Sequence, residues 1–540
     1  MHRILQLCFG VVLAAGCAKA QSASVPAPGA SPAPAAATAP AAAKPSLVVM
    51  ITIDGFREGN LEKFGPQLRG GLARLTSGGA WFTGAQQDHA ITETAPGHAS
   101  LLSGRFPRST GIAANRLGVI DEASPLLGFS GVVGASPRRF HGTTLVDWIR
   151  ARDSRSRALS ASMKDRGAIL PVGTSKQEVY WYPGDGEFTT SRYYADSLPD
   201  WVMKFNARNL PMTYAGKSWT PLLPDSAYQE RDSVAVEGGG TDVVFPHLLP
   251  PDSMAAASLI RTMPFIDDVT VAFALAGVEA LHLGQGPGTD VLAVSLSAND
   301  LINHRYGPDS KEAHDEVLRV DRTIGVLLDS LFKLRDPSRV VVVLTADHGF
   351  ATIPELDPPT MTPRPMRVTL LPALEFIHDR LKALQVDTMA VEVDQQVVLI
   401  DRAAFAKAHV KADSVLTLFQ QAAKQIPGVF RIDRFKDLLK GDTINDPITR
   451  RWVHQIPPDY PVELVATLTK GSIWAGLVTT HGSPYDYDSN VPIIFYGPGF
   501  APGRYNEFVR TVDIAPTLAQ LLGVKPLEKL DGVVLRRALK

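Results

Sequence analysis

The chain is poor in cysteine: it has two, Cys8 and Cys17, both near the start of its 540 residues. If an export signal is removed after Ala20, the mature protein carries no thiol and no disulfide, and an oxidising compartment neither helps nor harms it. Charge of one sign is also lacking. Lys plus Arg number 54 against 55 Asp plus Glu, a net charge of −1, and no block of like charge occurs. That balance removes the reason to expect a nucleic-acid partner. No apolar run is long and uniform enough for a transmembrane helix. There is no internal repeat and no Gly-x-Ser-x-Gly elbow, so a Ser/His/Asp hydrolase is not signposted. Gly216-Lys217-Ser218 is not a phosphate loop, because Pro211 stands where the earlier glycine is required.

What is present begins with an address. His2 and Arg3 precede a short apolar core, Ile4 to Ala15, and Ala18-Lys19-Ala20 offers a small-residue cleavage site. Residues 1–20 therefore read as a signal peptide, implying a periplasmic or secreted protein. Leu13-Ala14-Ala15-Gly16-Cys17 resembles a lipoprotein processing box, so the alternative is a lipid anchor at Cys17. Residues 21–45, rich in Ala, Pro and Ser, read as an extended linker. From 46 to 540 the composition, 45% apolar and 20% charged overall, is that of a folded enzyme-sized body. Nothing in the sequence fixes an oligomeric state.

Three nearly continuous apolar runs read as buried parallel strands: Ser46 to Ile53, Asp290 to Leu296 and Ser338 to Thr345. Each runs into acid, at Asp54, Asp300 and Asp347. A fourth strand is expected over Val491 to Gly497. Lys311 to Leu334 has Leu318, Ile324, Leu327, Leu328 and Leu331 at helical spacing, the stripe of a core-facing helix. The fold class is α/β, a mostly parallel central sheet flanked by helices. Stretches at about 173–284 and 354–480 break the pattern and are expected as insertions over the active-site edge; in the first, Val179-Tyr180-Trp181-Tyr182 and Phe188-Thr189-Thr190 are expected to pair as strands around Pro183-Gly184-Asp185-Gly186.

Parallel sheets place their ligands outside the carboxyl ends of the strands, so these acids and the nearby His304 and His348 converge. With His481 there are six candidate ligands, enough for two ions; carboxylate plus imidazole suits zinc, and manganese or cobalt are compatible. Ile91 to Gly104 carries the other candidate. Pro96 suits the first turn of a helix, which places Thr94 at its start. Thr94 is either a helix cap or a hydroxyl nucleophile where an anion is welcome. Three carboxylates and a threonine alkoxide would balance two divalent ions, leaving Lys164 and Arg166 to face an incoming dianion.

Taken together, Ile53-Asp54-Gly55-Phe56, Thr94-Ala95-Pro96-Gly97-His98, Ala114-Asn115, Lys164-Asp165-Arg166-Gly167, Asp300-Leu301-Ile302-Asn303-His304, Ala346-Asp347-His348-Gly349 and His481-Gly482-Ser483 resemble the alkaline phosphatase superfamily. Within it the chain looks most like the secreted, Thr-nucleophile bacterial alkaline phosphatases of the PafA type. The resemblance implies an alkaline phosphatase-like fold and two Zn2+ ions. Asp300, His304 and His481 would hold one zinc; Asp54, Asp347 and His348 would hold the other, with Thr94 bound to it. Thr94 would become a phosphothreonine, and Asn115, Lys164 and Arg166 would bind the phosphate oxygens. The implied partners are small phosphate monoesters of broad kind. The alternative is a phosphodiesterase or nucleotide pyrophosphatase of the same superfamily, which usually lacks the Lys-x-Arg pair. His98 is expected to be structural. The Cys/Ser-x-Pro-x-Arg motif of the sulfatase branch is absent.

Overall fold

A computed structural model describes residues 44–358 and 360–540; the expected signal peptide, the Cys17 anchor and the linker up to residue 43 lie outside the described residues. Among the described residues, eight strands form one sheet. In chain order they are β1 (Leu47–Ile53), β2 (Ala80–Phe82), β3 (Ala158–Ser162), β4 (Glu178–Trp181), β5 (Asp290–Leu296), β6 (Val340–Thr345), β7 (Ile493–Tyr496) and β8 (Gly503–Tyr505). Across the sheet they lie β8-β2-β7-β6-β1-β5-β3-β4. From β6 to β4 every pairing is parallel, whereas β7 runs against both of its neighbours. The sheet is therefore mostly parallel, as the apolar runs imply.

Those runs lack polar alternation because both faces of the sheet are covered. All seven residues of β1 are buried. Leu47, Val49, Ile51 and Ile53 enter one core, and Val48 and Met50 enter another. The first core is closed by α1 (Gly71–Gly78), α5 (Phe265–Ala280) and α7 (Lys311–Leu334). The second is closed by α2 (Thr94–Leu101), α3 (Leu145–Arg152) and α8 (Ile514–Leu522). The expected stripe on α7, Leu318 to Leu331, is buried throughout. Two further helices, α4 (Asp165–Ile169) and α6 (Ala298–Tyr306), follow β3 and β5 directly.

The expected insertion at 173–284 needs a correction. It contains β4, which is the edge strand of the main sheet and pairs in parallel with β3. Val179 and Trp181 enter one apolar cluster and Tyr180 another, so this short run is buried on two sides. Its expected partner at Phe188 to Thr190 supplies a single bridge, Trp181 to Thr189. α5, in the same stretch, covers a face of the sheet. Between β6 and β7 the chain builds a separate four-stranded antiparallel sheet from Val391–Asp394, Val397–Ile400, Val429–Arg434 and Val462–Leu468. It has its own apolar core, including Ile377, Leu381, Val398, Phe419 and Leu464.

One cross-link ties the first face together. α1 begins after Gly70, where a Cβ would lie 2.3 Å from the Asp321 carbonyl oxygen. Gly70 has no side chain to cap the helix, and Asp321 of α7 does it instead. Its carboxylate accepts the N–H groups of Arg69, Gly70 and Ala73 at 2.8, 2.6 and 3.2 Å. Asp321→Ala leaves these donors beside a buried gap, and a loss of about 2–4 kcal/mol is expected. Urea unfolding of the variant measures it, and ligand geometry at the far end of the strands is expected to be unchanged.

Candidate metal centre

Three neighbouring strands deliver the carboxylates. Asp54 follows β1 directly, and Asp347 and His348 follow β6 after Ala346. Asp300 lies in the first turn of α6, and His304 is one turn on, on the same face. Thr52 registers with Ser295 and with Thr345, so the three ends are level. Asp54, Asp347 and His348 are fully buried, and Asp300 is 2% exposed.

The imidazoles arrive with a fixed tautomer. Nδ1 of His304, His348 and His481 lies 2.9, 2.9 and 2.7 Å from the carbonyl oxygens of Thr479, Gly349 and Thr92. A carbonyl only accepts, so each Nδ1 donates its N–H, and in the neutral ring each Nε2 carries a lone pair. Those lone pairs face carboxylate oxygens. Asp300 Oδ1 is 3.5 Å from Nε2 of both His304 and His481. His348 Nε2 is 3.4 Å from Asp54 Oδ1 and 3.7 Å from Asp347 Oδ2. Acceptor facing acceptor at this range calls for a cation. Asp54 Oδ1, Asp300 Oδ1 and His348 Nε2 are buried with no hydrogen-bond partner among the described residues, and Asp347 Oδ2 lies 3.1 Å from His98 Nδ1. The ligand atoms fall into two groups, Asp300 with His304 and His481, and Asp54 with Asp300 and His348, each within 4.8 Å. The nitrogen and oxygen donors, with backbone carbonyls orienting the rings, fit divalent metal ions. Asp347 stands at the edge of the second group and also accepts the Gly55 N–H at 3.1 Å.

The local potential selects positive charge. Burial pushes the Asp300 carboxyl up, but Lys164 and the three imidazoles outweigh it and hold it well below the usual range. Burial pulls Lys164 down, and Asp300 and Asp54 outweigh it and hold the ammonium above the ordinary lysine value. Burial pulls His348 down, but the carboxylates led by Asp347 outweigh it and raise it to about 9, so a proton competes with a metal ion for its Nε2.

Thr94 is not a helix cap. α2 starts at Thr94 itself, and Glu93 occupies the cap position with extended backbone. The Thr94 hydroxyl lies 3.3 Å from Lys164 Nζ. That ammonium, at the end of β3, is 2.7 Å from Asp54 Oδ2 and 2.6 Å from Asp300 Oδ2. Asn115 Oδ1 accepts the Ala95 N–H at 2.9 Å, which leaves the Asn115 amide N–H groups as its free donors. Arg166 lies two residues on in α4, and its Nε is buried with no hydrogen-bond partner among the described residues. His98 is engaged on both nitrogens: Nδ1 donates to the Thr94 carbonyl at 2.9 Å, and Nε2 lies 2.9 Å from Ser295 Oγ. Glu93 and Gln455, which the sequence reading missed, touch the segments carrying Thr94 and Asn115. The Glu beside Thr94 was a visible signal; Gln455 had none.

A family model described as type I phosphodiesterase / nucleotide pyrophosphatase matches residues 48–419. Alkaline phosphatase PhoV of Synechococcus elongatus is 32% identical over 533 residues, covering 92% of this chain and 94% of that protein. Alkaline phosphatase PafA of Elizabethkingia meningoseptica is 30% identical over 513 residues, covering 89% of this chain and 92% of that protein. The crystal structure of wild-type alkaline phosphatase PafA superposes with a TM-score of 0.85 at 28% identity, covering 93% of this chain and 100% of that one.

Gly97 explains how the Thr94 helix reaches the ligands. A Cβ there would stand 2.2 Å from the Asp347 carbonyl oxygen. Gly97→Ala must push α2 off the Asp347 backbone, at about 1–3 kcal/mol. A lowered thermal midpoint together with weaker metal retention in dialysis is the expected result.

Proposed function

The chain belongs to the type I phosphodiesterase / nucleotide pyrophosphatase family, and from that premise we propose that it is an alkaline phosphatase that hydrolyses phosphate monoesters through a phosphothreonine at Thr94. The observation that carries this reading is the Thr94 hydroxyl, 3.3 Å from a lysine that itself touches Asp54 and Asp300. Asp300, His304 and His481 would hold one Zn2+, and Asp54, Asp347 and His348 the other. When bound, the two ions supply positive charge to the attacking and departing oxygens and lower the pKa of the threonine hydroxyl.

The residues do the rest. Lys164, Arg166 and the free Asn115 amide donors grip the non-bridging oxygens, and the start of α2 adds its favourable field. Thr94 Oγ, having given its proton to solvent water, forms a bond to phosphorus as the bond to the ester oxygen breaks. The departing alkoxide is protonated from solvent and leaves as the alcohol. Water then attacks phosphorus, breaks the bond to Thr94, and releases inorganic phosphate with the hydroxyl restored. His98 donates to the Thr94 carbonyl and so holds the residue's backbone.

Monoesters of broad kind are the favoured substrates, because two cations reward the extra charge on a monoester's terminal oxygens. The matched family model is described by diesterases, so diester or pyrophosphate cleavage is the second reading. A periplasmic or secreted location rests on residues 1–20, with a Cys17 anchor as the alternative; no helix among the described residues is long and apolar enough to cross a membrane.

Thr94→Ala is expected to lower kcat/KM on an aryl phosphate by at least about 10³-fold. An undiminished rate would remove Thr94 from the mechanism. Lys164→Ala and Arg166→Ala are each expected to lower monoester turnover roughly 10²-fold and that of the matching methyl diester less than about tenfold. Equal losses, or a native preference for the diester, would favour the second reading.

A further inference from the structure

Asn115 lies 20 residues from Ala95 in sequence, yet its side chain serves as the acceptor for the first turn of α2. A residue at the start of a single 3-10 turn, Asn115–Leu117, holds such a pose only if its own backbone is held. Two side chains do that, one half-buried and one fully buried. Glu93 Oε2 accepts the Asn115 N–H at 2.6 Å while Asn115 Oδ1 accepts the Ala95 N–H, so Asn115 is clasped by residues 93–95 at the start of the helix. Gln455 repeats the pattern beside them: its Oε1 accepts the Ile91 N–H at 2.7 Å and its Nε2 donates to the Ala113 carbonyl at 2.6 Å. Gln455 is fully buried and ends the helix Pro447–Gln455, which belongs to the stretch between β6 and β7. On the outer side Arg116 is tied to Asp394 and, at 3.0 Å, to the Tyr460 hydroxyl. Segments 91–95 and 113–116 are thus laced together by side chains from three parts of the chain.

We infer that Glu93 and Gln455 are positioning residues that set the Asn115 amide against the Thr94 hydroxyl, and that the segment between β6 and β7 takes part in phosphate recognition through Gln455. The inference rests on the reading of Asn115 as a phosphate ligand. Neither residue touches the reacting atoms. Glu93 needs only an acceptor oxygen for this role, so an amide serves as well as a carboxylate. Gln455 needs both its donor and its acceptor, so an apolar side chain of similar size fails. Displacement of a positioned donor by about 1 Å is enough to lower a rate on the order of 10²-fold.

A double-mutant cycle on kcat/KM for an aryl phosphate, with inhibition by inorganic phosphate measured alongside, tests this. Glu93→Ala and Gln455→Leu are expected to lower kcat/KM by roughly tenfold to a hundredfold and to weaken phosphate inhibition in step. Glu93→Gln is expected to stay within about threefold of the native rate. In an Asn115→Ala background both losses should shrink to about twofold, because the residue they act through is gone. Losses as large in that background as in the native protein overturn the inference, and so does a Glu93→Gln variant as slow as Glu93→Ala. If Asn115→Ala itself is silent, the reading of Asn115 fails first, and the two outcomes are told apart. Should Glu93→Ala not fold, Glu93→Asp, which withdraws the oxygen by one methylene, takes its place in the cycle.

Discussion

Three carboxylates crowded into a dry edge of a parallel sheet are the constraint on which this molecule depends. Asp54, Asp300 and Asp347 end adjacent strands and are almost wholly shielded from water. Like charges repel far more strongly there than in solvent, and among the described residues one ammonium, Lys164, pairs directly with two of them, Asp54 and Asp300. The balance has to come from cations, and the surroundings are built for them. Three imidazoles give their N–H to main-chain carbonyls and turn bare nitrogens toward the acids. Such an arrangement is unfavourable by itself and favourable around metal ions.

The rest of the fold can be read as the means of holding that arrangement still. The acids sit on strands packed on both faces, where side-chain freedom is already lost. The helix that begins at Thr94 is drawn against the Asp347 backbone, and only glycine at 97 permits the approach. The same helix start donates the Ala95 N–H to Asn115, a residue 20 positions on, so the start of the helix and the Asn115 side chain are held as one unit. Lys164 links the two halves of the site, lying against the hydroxyl of Thr94 and the acids of two strands.

Much of this was legible in the chain, for definite reasons. Strands buried on both faces show as unbroken apolar runs, and an acid closing such a run stands out. The α7 stripe was visible because one helical face carries its leucines. The reading failed where burial is local or partners are remote. Val179-Tyr180-Trp181 looked like half of a hairpin, because three residues cannot announce that they are covered on both sides. Thr94 looked equally like a cap, since composition alone cannot say whether the helix begins one residue earlier or later. Asp321 and Gln455 act on segments hundreds of residues away, and no spacing rule reaches that far.

Metal stoichiometry in the purified protein and in its Asp300→Ala variant tests the central claim most directly, because Asp300 belongs to both ligand groups. The account predicts two zinc ions per native chain and fewer than one in the variant, with both proteins folded. A native protein that binds no metal, or a variant that keeps its full complement, would contradict it.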